Sequence, residues 1–573
     1  RSNGRHAVPD AEDERAAVAF PAPTTPWAQT APNDVTCDVA GEAIYGPDRC
    51  VPALRVPPSA RVHRSGHHTA RCLVMRRRWA RAAWAALVLM GLVGLLGSSP
   101  YVDLARILLT ELEALDVGAY ERLLVVAPHA DDEIIGTAGL LMAAHDAGLD
   151  VRVVVATNGD GYLNAALRGA GLLPTTEGFR RLGALRQQES LAAMHLLGLP
   201  AETLTFLSYP DRGLASLWTA YWSHDRPFRS PYIRADHSPY LLTYNPDAQY
   251  SGDFLLGDLI TLLRDQRPDL LAIPHPADEH PDHSALAAFA RLALAYVEAE
   301  HPEYRPDVLG YLVHAGQYPF PAASTREPPN LLLPPPAFSE IGAGWKAVSL
   351  TEEGITRKAM AIRAHRSQRS TLGAFLDGFA RGTELYAVIE RPLPLRTIAE
   401  GGPFRPTTWL DADGTQIGPV LLDPVRDQTM RRRVPSADLA AMHAARWEDD
   451  TLVVCNRVRG HRTRALSYLL RVVAIGTDGV AHYSARSGYN QLDPEFSLSD
   501  TNMICDQVPL NDLGDPWLVA LSAEARLPGG SALDTTAWQF ILLEPATAPL
   551  LDPEVVAVGG EPAPLPVPEP GDH

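Results

Sequence analysis

One short segment of this chain gathers residue types that bind metal ions and move protons. An apolar run that predicts a buried strand ends in His129, and the carboxylates of Asp131 and Asp132 follow within three residues. The removal of such titratable groups from water is unfavourable unless something pairs with them. A divalent metal ion is the simplest partner for an imidazole and two carboxylates, so the segment predicts one half of a metal site.

The same order of features recurs further along the chain. A second apolar run, 270–274, precedes several histidines and carboxylates and then an alanine-rich helix that is predicted to begin near Ser284. Ligands in parallel sheets collect where the carboxyl ends of strands converge, so both clusters are predicted to face one site. The polar side chains of the second cluster are His275, Asp278, Glu279, His280, Asp282 and His283.

The residue types and their spacing fit a catalytic zinc site. Such a site takes three protein ligands and leaves a position for water. His129 and Asp132 are three residues apart across a turn, so both can reach one cation, and His283 would come from the second cluster. Asp131 and His280 then stay unligated but close, as a base for the water and as an imidazole that steadies the oxyanion or protonates the leaving group. One His–Asp pair at a helix start is more often an N-cap, but two matching clusters favour a site.

At these residues the chain resembles the LmbE-like (PIG-L) zinc-dependent de-N-acetylases. Residues 128–133, Pro-His-Ala-Asp-Asp-Glu, are similar to the family's Pro-His-Pro-Asp-Asp-Glu signature, and 280–283 are similar to its His-Pro-Asp-His motif. The resemblance extends through matches between and beyond these motifs over about residues 118–395. Ala130 stands where the family usually has proline, and Glu279 stands where a second histidine is common, which leaves the contribution of that neighbour open.

The resemblance implies a role for each residue of the two motifs. One Zn²⁺ per chain would be bound by His129, Asp132 and His283. Asp131 would be the general base, and His280 would polarise the amide oxygen or act as an acid.

It also implies roles around the metal. Asp282 would hydrogen-bond a histidine and fix its orientation, or would simply cap a loop. Arg186 and Asp211 would contact a sugar, or would form a helix-surface ion pair and a turn. His275 and Asp278 are expected to shape the loop.

The implied function is removal of N-acetyl groups from N-acetylglucosamine-type amino sugars or glycoconjugates by metal-activated water. One alternative is a zinc amidase that acts on another small-molecule amide, such as a thiol-sugar conjugate. Another is a non-catalytic cell-surface carbohydrate-binding protein, although the set of predicted catalytic residues is intact. The net charge of −18 argues against nucleic acid as a partner. No Gly-x-Gly-x-x-Gly follows the first strand, so no nucleotide cofactor is expected.

At 573 residues the chain is long enough for two or three domains. Strands alternate with helices over 103–395, which predicts an α/β deacetylase domain with a Rossmann-like, doubly wound, mostly parallel sheet. Its first helix is expected over 136–148. Short apolar segments separated by turns then predict an all-β, sandwich-like domain over 396–552. The Pro-rich tail, 553–573, is predicted to be disordered.

The segment before the deacetylase domain predicts a signal anchor. Four arginines within 76–81 precede an uncharged, apolar run, so 75–102 is expected to cross a membrane. The catalytic domain would then lie outside the cytoplasm, on the periplasmic or extracellular face of a bacterium, or would be secreted if the signal is cleaved. Residues 1–74 are predicted to be a disordered leader or an over-extended translation. In such a compartment Cys455 and Cys505 could pair, or stay as two buried thiols.

Overall fold

The computed structural model describes residues 112–543, except 317, 320–330, 336, 339–340, 342–343, 400–405, 425–433, 448–449, 477–478, 488–501 and 515. The predicted leader, the anchor at 75–102 and the tail at 553–573 lie outside the described residues. No helix within the described ranges is both long enough and apolar enough to cross a membrane.

A mixed sheet of eight strands carries both clusters, in the order β1-β7-β8-β6-β5-β2-β3-β4. Neighbouring strands are parallel except that β8 is antiparallel to β6 and β7. The mixed α/β core and the mostly parallel sheet confirm the coarse prediction, while the Rossmann-like label stays a prediction. The strands are β1 (Glu113–Ala114), β2 (Arg122–His129), β3 (Asp150–Thr157), β4 (Leu204–Tyr209), β5 (Leu270–Pro274), β6 (Asp307–Tyr311), β7 (Trp345–Ser349) and β8 (Thr383–Val388).

Helices accompany this sheet, and the central strands are nearly continuous apolar runs because both of their faces are covered. Every residue of β5 is buried, as is every residue of β2 except the first. The helices are α1 (Asp132–Ala147), α2 (Thr176–Leu196), α3 (Leu214–Thr219), α4 (Gly252–Gln266), α5 (Pro281–Glu300), α6 (Glu352–Ala364) and α7 (Arg366–Asp377).

Helix α1 begins four residues earlier than the sequence predicts. Asp131 is its N-cap residue, and Asp132 lies in its first turn, where the helix dipole favours carboxylates. Gly136, at which the helix is predicted to begin, and Gly139 lie inside the helix and permit close packing. A Cβ atom at Gly136 would lie 2.5 Å from the ring of Tyr311, and one at Gly139 would lie 2.7 Å from Leu350.

The region after β8 is built from β-strands. Strands β10, β11, β12 and β15 form one sheet, and β14, β13, β16, β18 and β9 form another, with β17 paired to β16. Residues of both sheets share one hydrophobic core. The β-rich character agrees with the prediction, and the sandwich label stays a prediction. The strands are β9 (Leu393–Pro394), β10 (Leu421–Leu422), β11 (Leu439–Trp447), β12 (Thr451–Val458), β13 (Ser467–Gly476), β14 (Gly479–Ser487), β15 (Met503–Pro509), β16 (Leu518–Arg526), β17 (Ala532–Thr535) and β18 (Gln539–Leu542).

A disulfide bond joins Cys455 to Cys505. The two cysteines lie opposite each other on β12 and β15, which are neighbouring antiparallel strands. Of the two alternatives that the sequence left open, the structure therefore contains the paired one.

The β-rich region and the α/β region are joined by apolar side chains. The ring of Trp218, on α3, lies 5.6 Å from that of Trp538 and 6.3 Å from that of Phe540 between centroids. All three residues belong to one buried cluster. The domain boundary near 395 stays a prediction, but the two regions do share a core.

The shared core predicts that a change in the β-rich region destabilises the α/β region. Phe540 is fully buried, so Phe540→Ala should lower the free energy of unfolding by about 3–5 kcal/mol through lost burial and the cavity left behind. Urea unfolding followed by tryptophan fluorescence measures the change. Leu241→Ala, at a fully exposed side chain, should stay within about 0.5 kcal/mol of the parent. An unchanged midpoint in Phe540→Ala would contradict the shared core.

Candidate active site

The sheet brings the two polar clusters together. Strands β2 and β5 are parallel neighbours, so their carboxyl ends lie at the same edge. Strand β2 ends at His129 and leads directly into α1, which carries Asp132. Beyond β5 a short loop leads into α5, whose N-cap residue is His280 and whose first turn contains His283. The predicted convergence of the clusters is what the structure contains.

Three buried side chains form a compact donor triangle, which we call the metal triad: His129, Asp132 and His283. The Nδ1 atom of His129 lies 3.0 Å from Oδ2 of Asp132, and Nε2 of His283 lies 3.1 Å from the same oxygen. The two ring nitrogens are 3.3 Å apart. Zinc–ligand bonds of 2.0–2.1 Å in a tetrahedral site require donors about 3.3 Å apart. The triad therefore fits one divalent ion.

The electrostatics of the triad support this fit. Burial disfavours a charged imidazole, yet the carboxylates of Asp132 and Asp278 raise the pKa of His283 to about 9. Burial would also raise the pKa of Asp132, but His283 and His129 hold it well below its usual range. The cluster thus favours positive charge beside Asp132, which is the charge that a metal ion supplies.

Two other donor groups lie at the same edge. Ring nitrogens of His129, His280 and His283 are within 4.8 Å of one another, as are donor atoms of His129, Asp211 and Asp282. Both groups share His129 with the metal triad. Their donor atoms are grouped by a limit of 4.8 Å, which is wider than the 3.0–3.3 Å that separates the donor atoms of the triad.

Asp278 has a second role at the site, beyond the loop-shaping role that the sequence predicts. Its Oδ2 atom lies 3.2 Å from Nδ1 of His283 and accepts hydrogen bonds from the backbone N–H groups of Val313 and His314. Its other oxygen accepts from the N–H of His280 at 2.9 Å. It shapes the loop, as predicted, and it also faces the ring nitrogen of His283 opposite the triad. No spacing rule distinguishes it from the other aspartates of the cluster.

Asp282 combines the two roles that the sequence left open. One of its oxygens lies 3.4 Å from Nε2 of His129 and accepts from the N–H of Arg212 at 2.6 Å. The other accepts from the N–H of Leu214 at 3.1 Å. Asp282 therefore caps the 212–214 loop and also faces the ring nitrogen of His129 that points away from the triad.

Asp131 lies beside the triad with its carboxylate close to a guanidinium. Its Oδ1 atom is 3.3 Å from Nη2 of Arg186. Burial raises the pKa of Asp131 to about 7 even though Arg186 lowers it, and the nearby Asp132 adds to the increase. A carboxylate with a pKa near neutrality is well suited to general-base catalysis at that pH.

Arg186 is buried in the wall of the site and does not lie on a helix surface. It donates to the carbonyl oxygens of Gly159 at 2.8 Å and Ala130 at 2.9 Å. Asp211 accepts from the N–H of Gly161 at 2.8 Å, and its second oxygen lies 3.5 Å from Nε2 of His129. Both residues therefore lie at the predicted site, and the sugar contacts expected of them stay predictions.

His280 is held as a neutral ring with a defined tautomer. Its Nδ1 atom accepts the backbone N–H of Asp282 at 3.3 Å, so the proton of the neutral ring belongs on Nε2. Burial, together with the positive charge on His129 and His283, lowers the pKa of His280 to about 2. The residue is both the N-cap of α5 and a hydrogen-bond donor beside the triad, so the N-cap interpretation and the site interpretation are compatible.

A second buried network anchors α1, the helix that carries Asp132. Lys358 is fully buried and donates to Glu384 at 2.6 Å and to the carbonyl oxygen of Ile135 at 2.9 Å. Glu384 also accepts the N–H groups of Gly139 and Leu140. Both residues lie within the region of resemblance, about residues 118–395, and in the structure they support α1.

Asp278→Asn should weaken metal binding by about 10- to 100-fold, because the carboxylate that faces Nδ1 of His283 would be replaced by a neutral amide. Competition with a chromophoric chelator measures the dissociation constant. Glu279→Gln is the matched control, since Glu279 is the exposed neighbour in the same loop and its substitution should leave metal affinity unchanged. Equal affinities for both variants would contradict the role of Asp278.

Glu384→Leu should lower the free energy of unfolding by about 3–5 kcal/mol, because it leaves the Lys358 ammonium buried without its countercharge. The double variant Glu384→Leu/Lys358→Met should recover much of the loss, since apolar side chains can replace a buried ion pair at little cost. Arg152→Met, which removes an exposed ion pair with Asp150, should cost less than about 1 kcal/mol. Urea unfolding measures all three, and a double variant no more stable than the single one would refute the pairing argument.

Comparison with known families identifies one match in the chain. Residues 124–294 match the model of the family described as PIG-L: GlcNAc-PI de-N-acetylase. The matched segment runs from within β2 into α5 and contains every predicted site residue. No curated protein sequence matches the chain.

Solved structures similar to the chain cover about half of it. N,N'-diacetylchitobiose deacetylase from Pyrococcus horikoshii is 19% identical over 47% of this chain and 84% of its own, with a TM-score of 0.29. The A40926 pseudoaglycone deacetylase Dbv21 is 21% identical over 47% and 97%, with a TM-score of 0.29. The 4-carboxy-2-hydroxymuconate hydratase GalB from Pseudomonas putida is 15% identical over 47% and 97%, also with a TM-score of 0.29. Likenesses at this level support no statement about activity.

Proposed function

We propose that this chain, whose residues 124–294 match the PIG-L family model, is an amide-hydrolysing de-N-acetylase that uses one Zn²⁺ to remove N-acetyl groups from N-acetylglucosamine-type amino sugars or glycoconjugates. The observation that carries the proposal is the metal triad, whose donor atoms lie 3.0–3.3 Å apart. Beside the triad lies Asp131, an acidic residue that is not one of its three ligands. Loss of a ligand or of the base would be expected in a non-catalytic relic, and neither is lost here.

The donor set suits zinc. His129 and His283 offer imidazole nitrogens, and Asp132 offers a carboxylate oxygen, which together are ligands that catalytic zinc sites use. When bound there, the ion would supply a Lewis acid that lowers the pKa of water and polarises an amide carbonyl. Asp278 and Asp282 would orient the two rings from the opposite side.

The remaining residues of the site supply the proton transfers. Asp131 accepts the proton of the attacking water, with Arg186 holding its carboxylate at 3.3 Å. The Nε2–H group of His280 donates to the amide oxygen as negative charge develops on it. The proton that Asp131 has accepted then passes to the nitrogen, the carbon–nitrogen bond breaks, and acetate and a free amine leave.

A polar wall beside the triad supports a hydroxyl-bearing substrate. Asp160 follows β3 and is buried, and its Oδ1 atom has no hydrogen-bond partner among the described residues. Its other oxygen accepts from the hydroxyl of Tyr240 at 2.6 Å. Arg186 and Asp211 contact the glycines on either side of Asp160. An amino sugar offers the hydroxyl donors that this wall can accept.

The proposal includes a location outside the cytoplasm. Its supports are the arginines and the uncharged run of 75–102, together with the disulfide between Cys455 and Cys505, a bond typical of oxidising compartments. Segment 75–102 would anchor the protein in a membrane, or would be a signal whose cleavage releases it.

Incubation of the purified protein with a panel of N-acetylated sugars, followed by assay of acetate, tests the substrate class. Acetate should be released from at least one sugar, should cease to appear with a chelator present, and should reappear when Zn²⁺ is restored. Release from a non-sugar amide only would replace the sugar proposal with the amidase alternative. No hydrolysis of any amide by the zinc-loaded protein would overturn the enzymatic proposal.

Asp131→Asn separates metal binding from chemistry. The amide is nearly isosteric with the carboxylate and Asp131 is not in the metal triad, so metal content should be unchanged. The value of kcat should fall by about two to four orders of magnitude, the range for loss of a general base. Asp146→Asn, at an exposed position on the same helix, should have parental activity. If Asp131→Asn loses its metal while Asp132→Asn keeps it, the two assignments must be exchanged.

A further inference from the structure

A cavity of about 510 Å³ lies between the α/β region and the β-rich region. His275 of the second polar cluster lines it, but no residue of the metal triad does, nor do Asp131, His280 or Asp282. Its size is within the range of about 300–1,000 Å³ that is usual for small-molecule sites. The cavity is therefore large enough to hold an organic ligand, and it is separate from the metal triad.

Both regions of the protein build its walls, and the walls are mainly apolar. The α/β region contributes Val388 and Ile389, from the end of β8 and just beyond it. The β-rich region contributes Leu421 and Leu422, which form β10, and Trp538. An apolar ligand body would be covered from both sides.

Arg291 is the cation that lines this cavity. It lies on α5, eight residues beyond His283, and donates to the backbone carbonyl oxygen of Trp538 at 2.7 Å. Its guanidinium carbon is 4.7 Å from the centre of the Phe540 ring. Among the residues that the structure describes, no carboxylate forms an ion pair with it. Burial lowers the pKa of Arg291 to about 10, so the group is still charged at neutral pH.

Two other titratable groups, His275 and Glu390, line the cavity, and neither forms an ion pair with Arg291 among the described residues. Burial lowers the pKa of His275 to about 4, so its ring is neutral, and its Nδ1 atom already accepts the N–H of Ala277. Glu390 is exposed and forms no ion pair with Arg291. A guanidinium has five N–H donors, so Arg291 retains donors for a ligand.

We propose that the cavity binds an organic monoanion with an apolar body, of the class of a medium-chain carboxylate, with its charged end on Arg291 and its chain between the apolar walls. Charge-assisted hydrogen bonds of this kind are stronger than neutral ones, and a planar guanidinium matches a carboxylate in geometry. The occupant would lie against Ala277, next to Asp278 in the β5–α5 loop. The site is independent of the proposed deacetylation.

Calorimetric titration of the full chain with octanoate, and separately with octanamide, tests the site. The two probes share a chain and differ in charge. Octanoate should bind more tightly than octanamide. Arg291→Met should weaken octanoate by at least about tenfold and leave octanamide nearly unchanged. Arg181→Met, which removes an exposed charge on α2, should change neither affinity.

Two further variants test the site without changing Arg291, in case Arg291→Met does not fold. Leu421→Trp fills the cavity and leaves Arg291 in place, so it should abolish binding of both probes. His283→Ala disrupts the metal triad and should still bind octanoate. Octanoate binding that is lost in His283→Ala and kept in Leu421→Trp would place the anion at the metal triad and overturn the proposal. Equal affinity of the parent for the two probes, or no binding of octanoate, would also overturn it.

Discussion

The buried carboxylate of Asp132 is the group on which the rest of the site depends. One of its oxygens lies 3.0 Å from a ring nitrogen of His129 and 3.1 Å from one of His283. The two histidines come from different strand ends, so this single oxygen joins the first and second polar clusters. A buried carboxylate with two such neighbours requires positive charge close by, and a divalent ion would supply it in the most compact form.

The surrounding structure holds these charged groups in place from behind. Asp278 faces the ring nitrogen of His283 that points away from the triad, and Asp282 faces the corresponding nitrogen of His129. Farther out, the Lys358–Glu384 pair ties α6 and β8 to α1. Each of these groups is buried and therefore needs a polar partner of its own. The result is a series of paired polar groups that reaches from the metal triad through several elements. This explains why polar residues far apart in the chain are held together at one edge of the sheet.

The β-rich region acts on the α/β region through packing, since no predicted catalytic residue comes from it. Trp538 and Phe540 pack against Trp218, which belongs to the α/β region. The same contact forms part of the wall around Arg291. The region therefore contributes to stability and builds half of a cavity whose chemistry differs from that of the metal triad. The ligand we propose for the cavity is an apolar body with one negative charge, and the substrate we propose for the wall beside Asp160 is a polyhydroxylated sugar.

The sequence by itself determined the residue types that meet at the metal triad and the parallel strands that present them, because an apolar run followed by His and Asp is a local pattern. Their metal chemistry stays a prediction. It also pointed to Asp131 as an unligated base. Only the tertiary structure decided which aspartate faces which ring. Asp278 lies in the β5–α5 loop and Asp282 in the first turn of α5. The two look alike in sequence, yet they face different histidines. The sequence likewise did not determine the packing of Trp218 on Phe540 or the contact of Arg291 with Trp538. Both contacts join segments about 250 residues or more apart in the chain, and no local pattern encodes them.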